Sequence, residues 1–385
     1  MRARIAVDAM GGDNAPHEIV RGAVRAAGEL GVRVALVGRR DAIEPLLGDA
    51  AGLDGVDIVD AAEVVEMHEH PANAVRAKRD SSIVRACELV ASGEAGAAVS
   101  AGNSGAMLAA ALFAVKRVAG IARPAIGAAF PSAGGRTFIL DVGANTDCKA
   151  EWLAQFAVMG DIYARSMMGI AEPRVALLSN GEEAEKGSEL VQAAHPLIAA
   201  LPLRFIGNVE GKDIFKGTAD VVVTDGFTGN IALKTAEGVG EFLFAAIARE
   251  ARASMAGKIG GALLKPKLRP LRDTIDYRKT GGALLLGVAG EVVIAHGRSD
   301  AEAIVNAIRV AAEAIQRDVS GSIASRIAAA GPAAAGTPPP SPLPDATGAA
   351  ERFGRQPPAG VTRGTNEAAA IATSGSHQPG SEADH

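Results

Sequence analysis

Cysteine is almost missing from this chain. Cys87 and Cys148 are the only two in 385 residues, too few for a disulfide framework and suited to a reducing cytoplasm. Aromatics make up only 3% of residues against 48% for all hydrophobic types, so the core must be built from Ala, Val, Leu and Ile. No window of about 18 uninterrupted apolar residues occurs, which excludes a membrane-spanning helix. The opening MRARIAVDAMGG holds no apolar stretch of signal-peptide length. A net charge of -5 gives no reason to expect a nucleic-acid partner. Several motifs are missing too. No strand candidate is followed by G-x-G-x-x-G, and neither G-x-x-x-x-G-K-[ST] nor G-x-S-x-G occurs, which argues against a conventional dinucleotide site, a P-loop and a nucleophile elbow. His68-Glu69-His70, followed by Pro71, lacks the spacing that brings two imidazoles onto one helix face. No metal and no cofactor are expected. Cys148 lies near Asn145 without a paired His and reads as structural, and His296, after an apolar run, reads as a core histidine.

What the chain has is a repeated grammar of short apolar runs stopped by glycine with Asn or Asp. Ala219–Lys234 reads ADVVVTDGFTGNIALK. Val221–Thr224 fits a strand buried on both faces, Asp225 and Gly226 end it, and a helical pattern (Ile231, Leu233, Ala236, Val239) begins after Thr228-Gly229-Asn230. Ala3–Asp8 leads into Gly11, Gly12 and Asp13, and Ala97–Ser100 into Asn103, Ser104 and Gly105. Thr137–Leu140 leads into Asp141, Gly143 and Asn145. Arg174–Leu178 leads into Glu183, Lys186 and Gly187, and Leu203–Ile206 into Asn208. Strands alternating with helices of roughly ten to fifteen residues indicate an α/β fold with a mostly parallel sheet, whose ligands sit beyond the carboxyl ends of strands. One Gly-Asn turn is ordinary turn chemistry. Six such turns at equivalent strand ends predict one polar crevice, with N–H groups of helix starts ready for an anion and Lys186 and Lys234 as its cations.

Two regions depart from this pattern. Residues 240–273 join an apolar helical stripe (Phe242, Leu243, Ala246, Ile247) to seven Lys or Arg between Arg249 and Arg272, with Glu250 the one acid. This is either a helical hairpin packed on the core or a partner subunit, or an interfacial surface for anionic lipid or an acidic protein. From Gly331 the composition turns to Pro, Ala, Gly, Ser and Thr, as expected of a disordered tail. Before it, a final helix is expected over Asp300 to about Arg317. The division is a domain over 1–328 with a protruding 240–275, then a tail over 329–385.

Several blocks carry a family resemblance: IAVDAMGGDNAP (5–16), VSAGNSGAM (99–107), LDVGAN (140–145), FIGNVEGKDIFKGTADVVVTDGFTGNIALKTAEG (205–238), and GGALLLG with VVIAHG (281–297). From Arg4 to about Ser325 the chain resembles the bacterial acyl-carrier-protein:phosphate acyltransferases of phospholipid synthesis. It departs from their pattern at Ser179-Asn180-Gly181 and at Thr280. The resemblance implies a three-layer α/β/α sandwich similar to phosphotransacetylases and isocitrate/isopropylmalate dehydrogenases. It implies a homodimer that moves a long-chain acyl group from acyl carrier protein to inorganic phosphate. The acyl phosphate would pass to a membrane glycerol-3-phosphate acyltransferase, so the protein would be cytoplasmic and touch the inner face of the membrane through 240–270.

That chemistry needs an anion site, oxyanion donors and a thiolate leaving group, and no enzyme nucleophile. Asn103, Asn145, Lys186, Asp225, Asn230 and Lys234 are the catalytic candidates. Asp8, Gly11, Gly12, Asp13, Ser104, Gly105, Asp141, Gly143, Glu183, Gly187, Asn208, Gly226 and Gly229 are the substrate-binding candidates. Asp225 is expected to orient Lys234 or Lys186, or to hold a proton on phosphate, and Asp8 to cap the next helix or brace the Gly-Gly turn. An acidic carrier protein would dock on Arg76, Lys78, Arg79 and Arg85, or on the 249–272 cluster. Three other readings share parts of this pattern: a phosphotransacetylase-like enzyme using acyl-coenzyme A, a non-catalytic scaffold at the bilayer, and a decarboxylating dehydrogenase.

Overall fold

The six apolar runs become strands in a computed structural model of the chain. They are β1 (Arg4–Asp8), β4 (Ala97–Ser100), β6 (Gly135–Leu140), β7 (Arg174–Leu178), β8 (Arg204–Val209) and β9 (Val221–Val223). With β2 (Arg33–Gly38), β3 (Val56–Asp60), β5 (Ala125–Ser132), β10 (Ala283–Leu286) and β11 (Glu291–Ile294) they form one 11-stranded sheet, in the order β3-β2-β1-β4-β11-β10-β5-β6-β9-β7-β8. The structure describes residues 3–48, 55–275, 279 and 281–330, without the side chains of 268–275 and 330. Thr280 and the tail from residue 331 lie outside the described residues, as do the side chains of Arg269 and Arg272.

Helices cover both faces, and the strands' alternation decides which face each helix meets. Ile5, Val7, Leu36, Val99, Leu140 and Val223 point to one side. There they pack on α1 (His17–Leu30), α2 (Arg40–Leu47), α6 (Ala150–Met167), α7 (Glu189–Ala199), α11 (Ala301–Arg317) and α12 (Val319–Ala330). Ala6, Ala98, Ile126, Ile139, Val222 and Ile294 point to the other. They meet α3 (Pro71–Ala77), α4 (Ser82–Ala91), α5 (Ser104–Ala114), α8 (Gly211–Lys216) and the first half of α9 (Gly226–Arg252). This is the expected three-layer α/β/α sandwich. Helix α1 shows how the pattern works: Ile19, Val20, Ala23 and Ala26 make its buried stripe, and Gly31, at φ 65°, ends it in the left-handed conformation. Asp300 caps α11, accepting the Ala303 N–H at 3.0 Å. The helix expected to be last is followed by α12, which turns off at Asp318 (φ 49°) and runs to Ala330.

One row of Cα partners crosses the sheet: Ile58, Leu36, Val7, Val99, Val293, Leu284, Gly127, Leu140, Val223, Leu177 and Asn208. β1–β4 and β11 run parallel to one another. The pairs β11–β10, β10–β5 and β5–β6 are all antiparallel. Three reversals leave β6, β9, β7 and β8 running opposite to β1, β4 and β11. The loops after β1, β4 and β11 therefore leave one edge of the sheet, and those after β6, β7 and β9 leave the other. This corrects the expectation of six equivalent strand ends meeting in one crevice.

Helix α9 bridges the two edges. It starts beyond β9, and its 27 residues rise about 40 Å at 1.5 Å each. It then turns back as α10 (Met255–Ile275). Beyond Gly240 the helix leaves the core, so Phe242, Leu243 and Ile247 of α9 are exposed, as are Met255, Ile259, Leu263 and Leu264 of α10. Among the described residues no helix is long and apolar enough to cross a membrane.

Candidate active site

At the first edge, Asp8 is almost fully buried and holds two loops together. Its carboxylate accepts the Ser100 hydroxyl at 2.7 Å and the Met10 N–H at 3.2 Å, while Ser100 Oγ accepts the Gly102 N–H at 3.0 Å. Burial pushes the Asp8 carboxyl above its ordinary range, against hydrogen bonds from Ser82, Ser100, Met10 and Gly11 that pull it back. Asp8 thus braces the Met10–Gly11 turn, whereas α1 has no side-chain cap. Gly11 lies so close to the neighbouring loop that a Cβ there would stand 2.8 Å from Gly102 N. Gly12 lies against the Ala101 and Gly297 carbonyls, and Asp13 N–H donates to Gly297 O at 2.8 Å. The loops after β1, β4 and β11 are thereby one unit. Asn103 caps α5, accepting the Ala106 N–H at 3.1 Å, and donates its amide to the Met67 and Glu69 carbonyls. Its donor group is occupied in structure, not presented as an oxyanion donor. Ser104 and Gly105 follow as the first turn of α5.

At the second edge, Asp141 is fully buried. Oδ1 accepts N–H groups of Ile126, Gly143 and Ala144 at 3.0–3.1 Å. Oδ2 accepts the Asn145 N–H at 2.8 Å and its amide at 2.9 Å. Burial raises the Asp141 carboxyl, and these N–H groups act in the opposite sense. The other Asn145 amide hydrogen goes to Pro124 O at 2.8 Å, so this amide too is a structural donor. Gly226 N–H donates to Asn145 O at 2.7 Å, seating the start of α9 on this loop, and a Cβ at Gly229 would run into the Asp141 carbonyl. Asp225 caps α9, accepting the Thr228 N–H and hydroxyl at 2.8 Å each, while Lys234 Nζ pairs with Glu237 at 2.7 Å. The expected Asp225–Lys234 partnership is replaced by these two local pairs.

The β7–α7 loop forms a third group. Asn208 donates its amide to Glu183 O at 2.7 Å, Gly187 adopts φ 102°, and Lys186 is exposed. Six sheet steps separate β4 from β7, roughly 29 Å at 4.8 Å each, so Asn103 and Lys186 cannot grip the same ion within one chain. Nearby, Glu182, Glu210 and Asp213 bring three carboxylates within 4.8 Å of one another, but Lys212 pairs with Glu210 and Lys216 with Asp213. On the basic rim, Lys78 is bound to Glu69 at 2.6 Å and Arg85 to Glu88 at 3.0 Å. Arg76 lies over the Phe113 ring at 5.5 Å.

What the fold brings together is a cleft of about 1130 Å³ along β5 and α9, which also takes in Ser104 of α5, Tyr163 and Met167 of α6, and Val310 and Glu313 of α11. Its polar lining includes Ser104, Gly143, Gly226, Asn230, Lys234, Glu237 and His296. Its apolar wall includes Ile126, Ala128, Phe130, Leu233, Ala236 and Leu243. The two sides are tied by Arg298 of the β11 loop, 3.6 Å from Glu241 of α9. Asp8, Asn103, Asp141, Asn145, Glu183, Lys186, Asn208 and Asp225 are not in the lining. Most of them shape the loops that carry those that are. His296, expected in the core, is half-buried in the cleft lining.

The profile of a family described as fatty acid synthesis protein matches residues 3–322. A phosphate acyltransferase of Heliobacterium modesticaldum is 52% identical over 326 residues, 84% of this chain and 97% of the relative. One from Citrifermentans bemidjiense is 49% identical over 345 residues, 89% and 98% of the two chains. This chain belongs to the phosphate acyltransferase family. Among solved structures, a phosphotransacetylase from Streptococcus pyogenes matches at TM-score 0.58 and 19% identity, over 82% of this chain and 94% of its own. EutD phosphotransacetylase from Staphylococcus aureus matches at TM-score 0.54 and 16% identity, with the same coverage. At such identities the likeness shows a shared fold. For this phosphate acyltransferase family member, sequence reasoning passed over His296, Glu237 and the Arg298–Glu241 tie. The VVIAHG block held the one signal for His296: an imidazole and a glycine directly after a strand.

Proposed function

We propose that this chain transfers a long-chain acyl group from the thioester of acyl carrier protein to inorganic phosphate, giving acyl phosphate and the free carrier thiol. The observation that carries this reading is a cleft polar at one part of its wall and apolar at another. Its volume is at or above the top of the roughly 300–1,000 Å³ range of small-molecule sites, enough for an anion and a chain together. Phosphate would sit between Ser104, at the start of α5, and Lys234, both in the cleft lining, since helix starts and an ammonium both favour an oxyanion. Asn230 donates to the thioester oxygen, and the chain lies along Ile126, Ala128, Phe130 and Leu243. A phosphate oxygen adds to the carbonyl carbon, the C–S bond breaks, and the proton of monohydrogen phosphate passes to the departing sulfur. No enzyme nucleophile is needed. A thiol's pKa of about 8.5 makes it a good leaving group, so positioning and charge dominate.

Carrier protein is acidic, and of the four basic residues from Arg76 to Arg85 in its expected landing site, Arg76 and Arg79 have no carboxylate partner among the described residues. The exposed apolar residues of α9 and α10, set beside Lys258, Lys265 and Lys267, support peripheral contact with anionic lipid at the inner face of the membrane. There acyl phosphate would meet a membrane acyltransferase that esterifies glycerol 3-phosphate. A second subunit on the same hairpin is the competing cover, in keeping with a homodimer. The test is release of free thiol from palmitoyl carrier protein, with and without inorganic phosphate. Phosphate-dependent release supports the reading, and release unaffected by phosphate, or obtained from palmitoyl-coenzyme A alone, overturns it.

A further inference from the structure

β5 parts from its neighbour β10 halfway along its length. The two pair from Ala125–Leu286 to Gly127–Leu284 and no further, while β5 continues against β6 as far as Ser132. Gly282 and Gly281, at φ 85° and 82°, lead the other chain away. A Cβ would stand 2.7 Å from Ile294 O at Gly282 and 2.7 Å from Asn306 O at Gly281, so these residues lean on β11 and α11. Beyond Gly127 no described strand pairs with that side of β5. Which main-chain groups face the gap follows from those that face β6. Ile126 donates its N–H to Asp141 Oδ1 and accepts the Val142 N–H, both on the β6 side. Main-chain directions alternate along a strand, so Ala128 and Phe130 also point to β6, and Ala129 and Pro131 point into the gap. Pro131 agrees, because proline within a sheet sits where its missing N–H would meet no ladder partner. The N–H and C=O of Ala129 and the C=O of Pro131 are therefore open to the gap. Ala128, Ala129, Phe130 and Pro131 all line the cleft, and four successive residues belong to both faces of a sheet, so the cleft runs along an edge.

We propose that this edge seats the pantetheine arm of the acyl donor, which adds to β5 as a short extra strand. The inference rests on the phosphate acyl-transfer reading above. An alkyl chain laid against the edge would leave its N–H and C=O groups unsatisfied, whereas an arm with two amides pairs with them. The acyl chain keeps to the side chains of Ile126, Ala128 and Phe130 on the α9 face. From Gly127 to Pro131 the edge runs about 14 Å at 3.4 Å per residue. The arm between sulfur and phosphate has as many chain atoms as about four residues, again about 14 Å when extended. The thioester lies at the Ile126 end, where Asn230 approaches Gly143. The amide farther from sulfur then meets Ala129, accepting its N–H and donating to its C=O. The phosphodiester emerges at Arg136, which pairs with Pro131 in register, lines the cleft and has no carboxylate partner among the described residues, although Glu313 lines the cleft too.

Phosphate-dependent thiol release is measured with three palmitoyl donors: the carrier protein, pantetheine, which keeps both amides, and N-acetylcysteamine, which keeps only the amide nearer sulfur. Wild-type kcat/KM should be at least about fivefold higher for pantetheine than for N-acetylcysteamine, as two added hydrogen bonds require. Ala129→Pro removes the open N–H and should cut that ratio about 2- to 12-fold. It should melt close to wild type, since Pro131 already occupies the same side of the strand, whereas Ala128→Pro, which breaks a ladder bond to β6, should melt well below both. Arg136→Gln should lower kcat/KM for the carrier donor about 2- to 5-fold relative to pantetheine, which lacks the phosphate. A wild type that does not distinguish the two small donors overturns the proposal without any variant. So does a folded Ala129→Pro with an unchanged ratio, or one as unstable as Ala128→Pro. An Arg136→Gln effect equal for carrier and pantetheine overturns the run of the arm toward Arg136. Absence of phosphate-dependent release from every donor overturns the underlying activity instead, and is told apart because the wild type then turns over none of them.

Discussion

Gly226→Ala separates helix propensity from packing at the point where α9 meets the Asp141–Asn145 loop. Alanine is the better helix former by about 0.5–1 kcal/mol, so on propensity alone the change stabilises. Its Cβ, however, would stand 2.7 Å from Asn145 O, 2.8 Å from Asn145 N and 2.8 Å from Asp141 Oδ2. Ordinary van der Waals contact begins at 3.4 Å, so helix and loop must part by 0.6–0.7 Å. None of the three atoms is the tip of a flexible side chain: two are backbone and the third is a buried oxygen fixed by the Asn145 N–H and amide. Overpacking of this kind costs about 1–3 kcal/mol and outweighs the propensity gain. The same shift carries Asn230 and Lys234 with the helix. A misplacement of about 1 Å costs roughly 100-fold in rate, so about 0.6 Å should cost tenfold or more. Gly238→Ala, in the same helix with nothing within 4 Å of the added carbon, is the control and should be neutral or slightly stabilising. Urea unfolding and phosphate-dependent thiol release on both variants provide the assay. If Gly226→Ala matches Gly238→Ala in stability and rate, the seating of α9 on the Asp141 loop does not position the site.

Further outcomes follow from single groups. Asp141→Ala removes the acceptor for five N–H donations, and two left unsatisfied at about 1–3 kcal/mol each would consume much of a stability of roughly 5–15 kcal/mol; a melting temperature within about 2 °C of wild type contradicts this. Lys234→Ala loses a charge-assisted phosphate contact worth about 1.5–3 kcal/mol and should raise the phosphate KM about 10- to 100-fold, and an unchanged KM removes Lys234 from the anion site. Burial, aided by Asp141, pushes the Cys148 thiol up to about 12. At pH 8 its alkylation, followed by mass spectrometry, should then be about a thousandfold slower than that of a free thiol of pKa about 8.5, and comparable rates refute the burial. Ile259→Asp with Leu263→Asp, at exposed hairpin positions, should abolish co-sedimentation with anionic vesicles and leave thiol release from soluble substrate intact; retained sedimentation places the membrane contact elsewhere.

The strands were legible because parallel strands buried on both faces are continuous apolar runs ended by turn residues, as Val221–Val223 followed by Asp225-Gly226 shows. Their directions were not. Reversal depends on β10 and β5 entering between β11 and β6, a pairing of segments more than 150 residues apart that leaves no local trace. The site divided along the same line. Asn103, Asn145 and Asp225 stood out as amides and acids at strand ends, yet each serves a cap or loop bond, because such groups satisfy nearby backbone first. Asn230 and Lys234, singled out where the helical pattern begins, lie in the cleft lining. His296 was missed because an imidazole after an apolar strand reads the same in a core as in a cleft. Only its neighbours across the gap, Lys234 and Glu237, distinguish the two.

Soaking crystals with tungstate, a heavy oxyanion located by anomalous scattering, tests most directly where phosphate is held. A peak between the first N–H groups of α5 and the Lys234 ammonium is the predicted result. A peak found only at the β7–α7 loop beside Lys186, with the space between α5 and α9 empty, contradicts it.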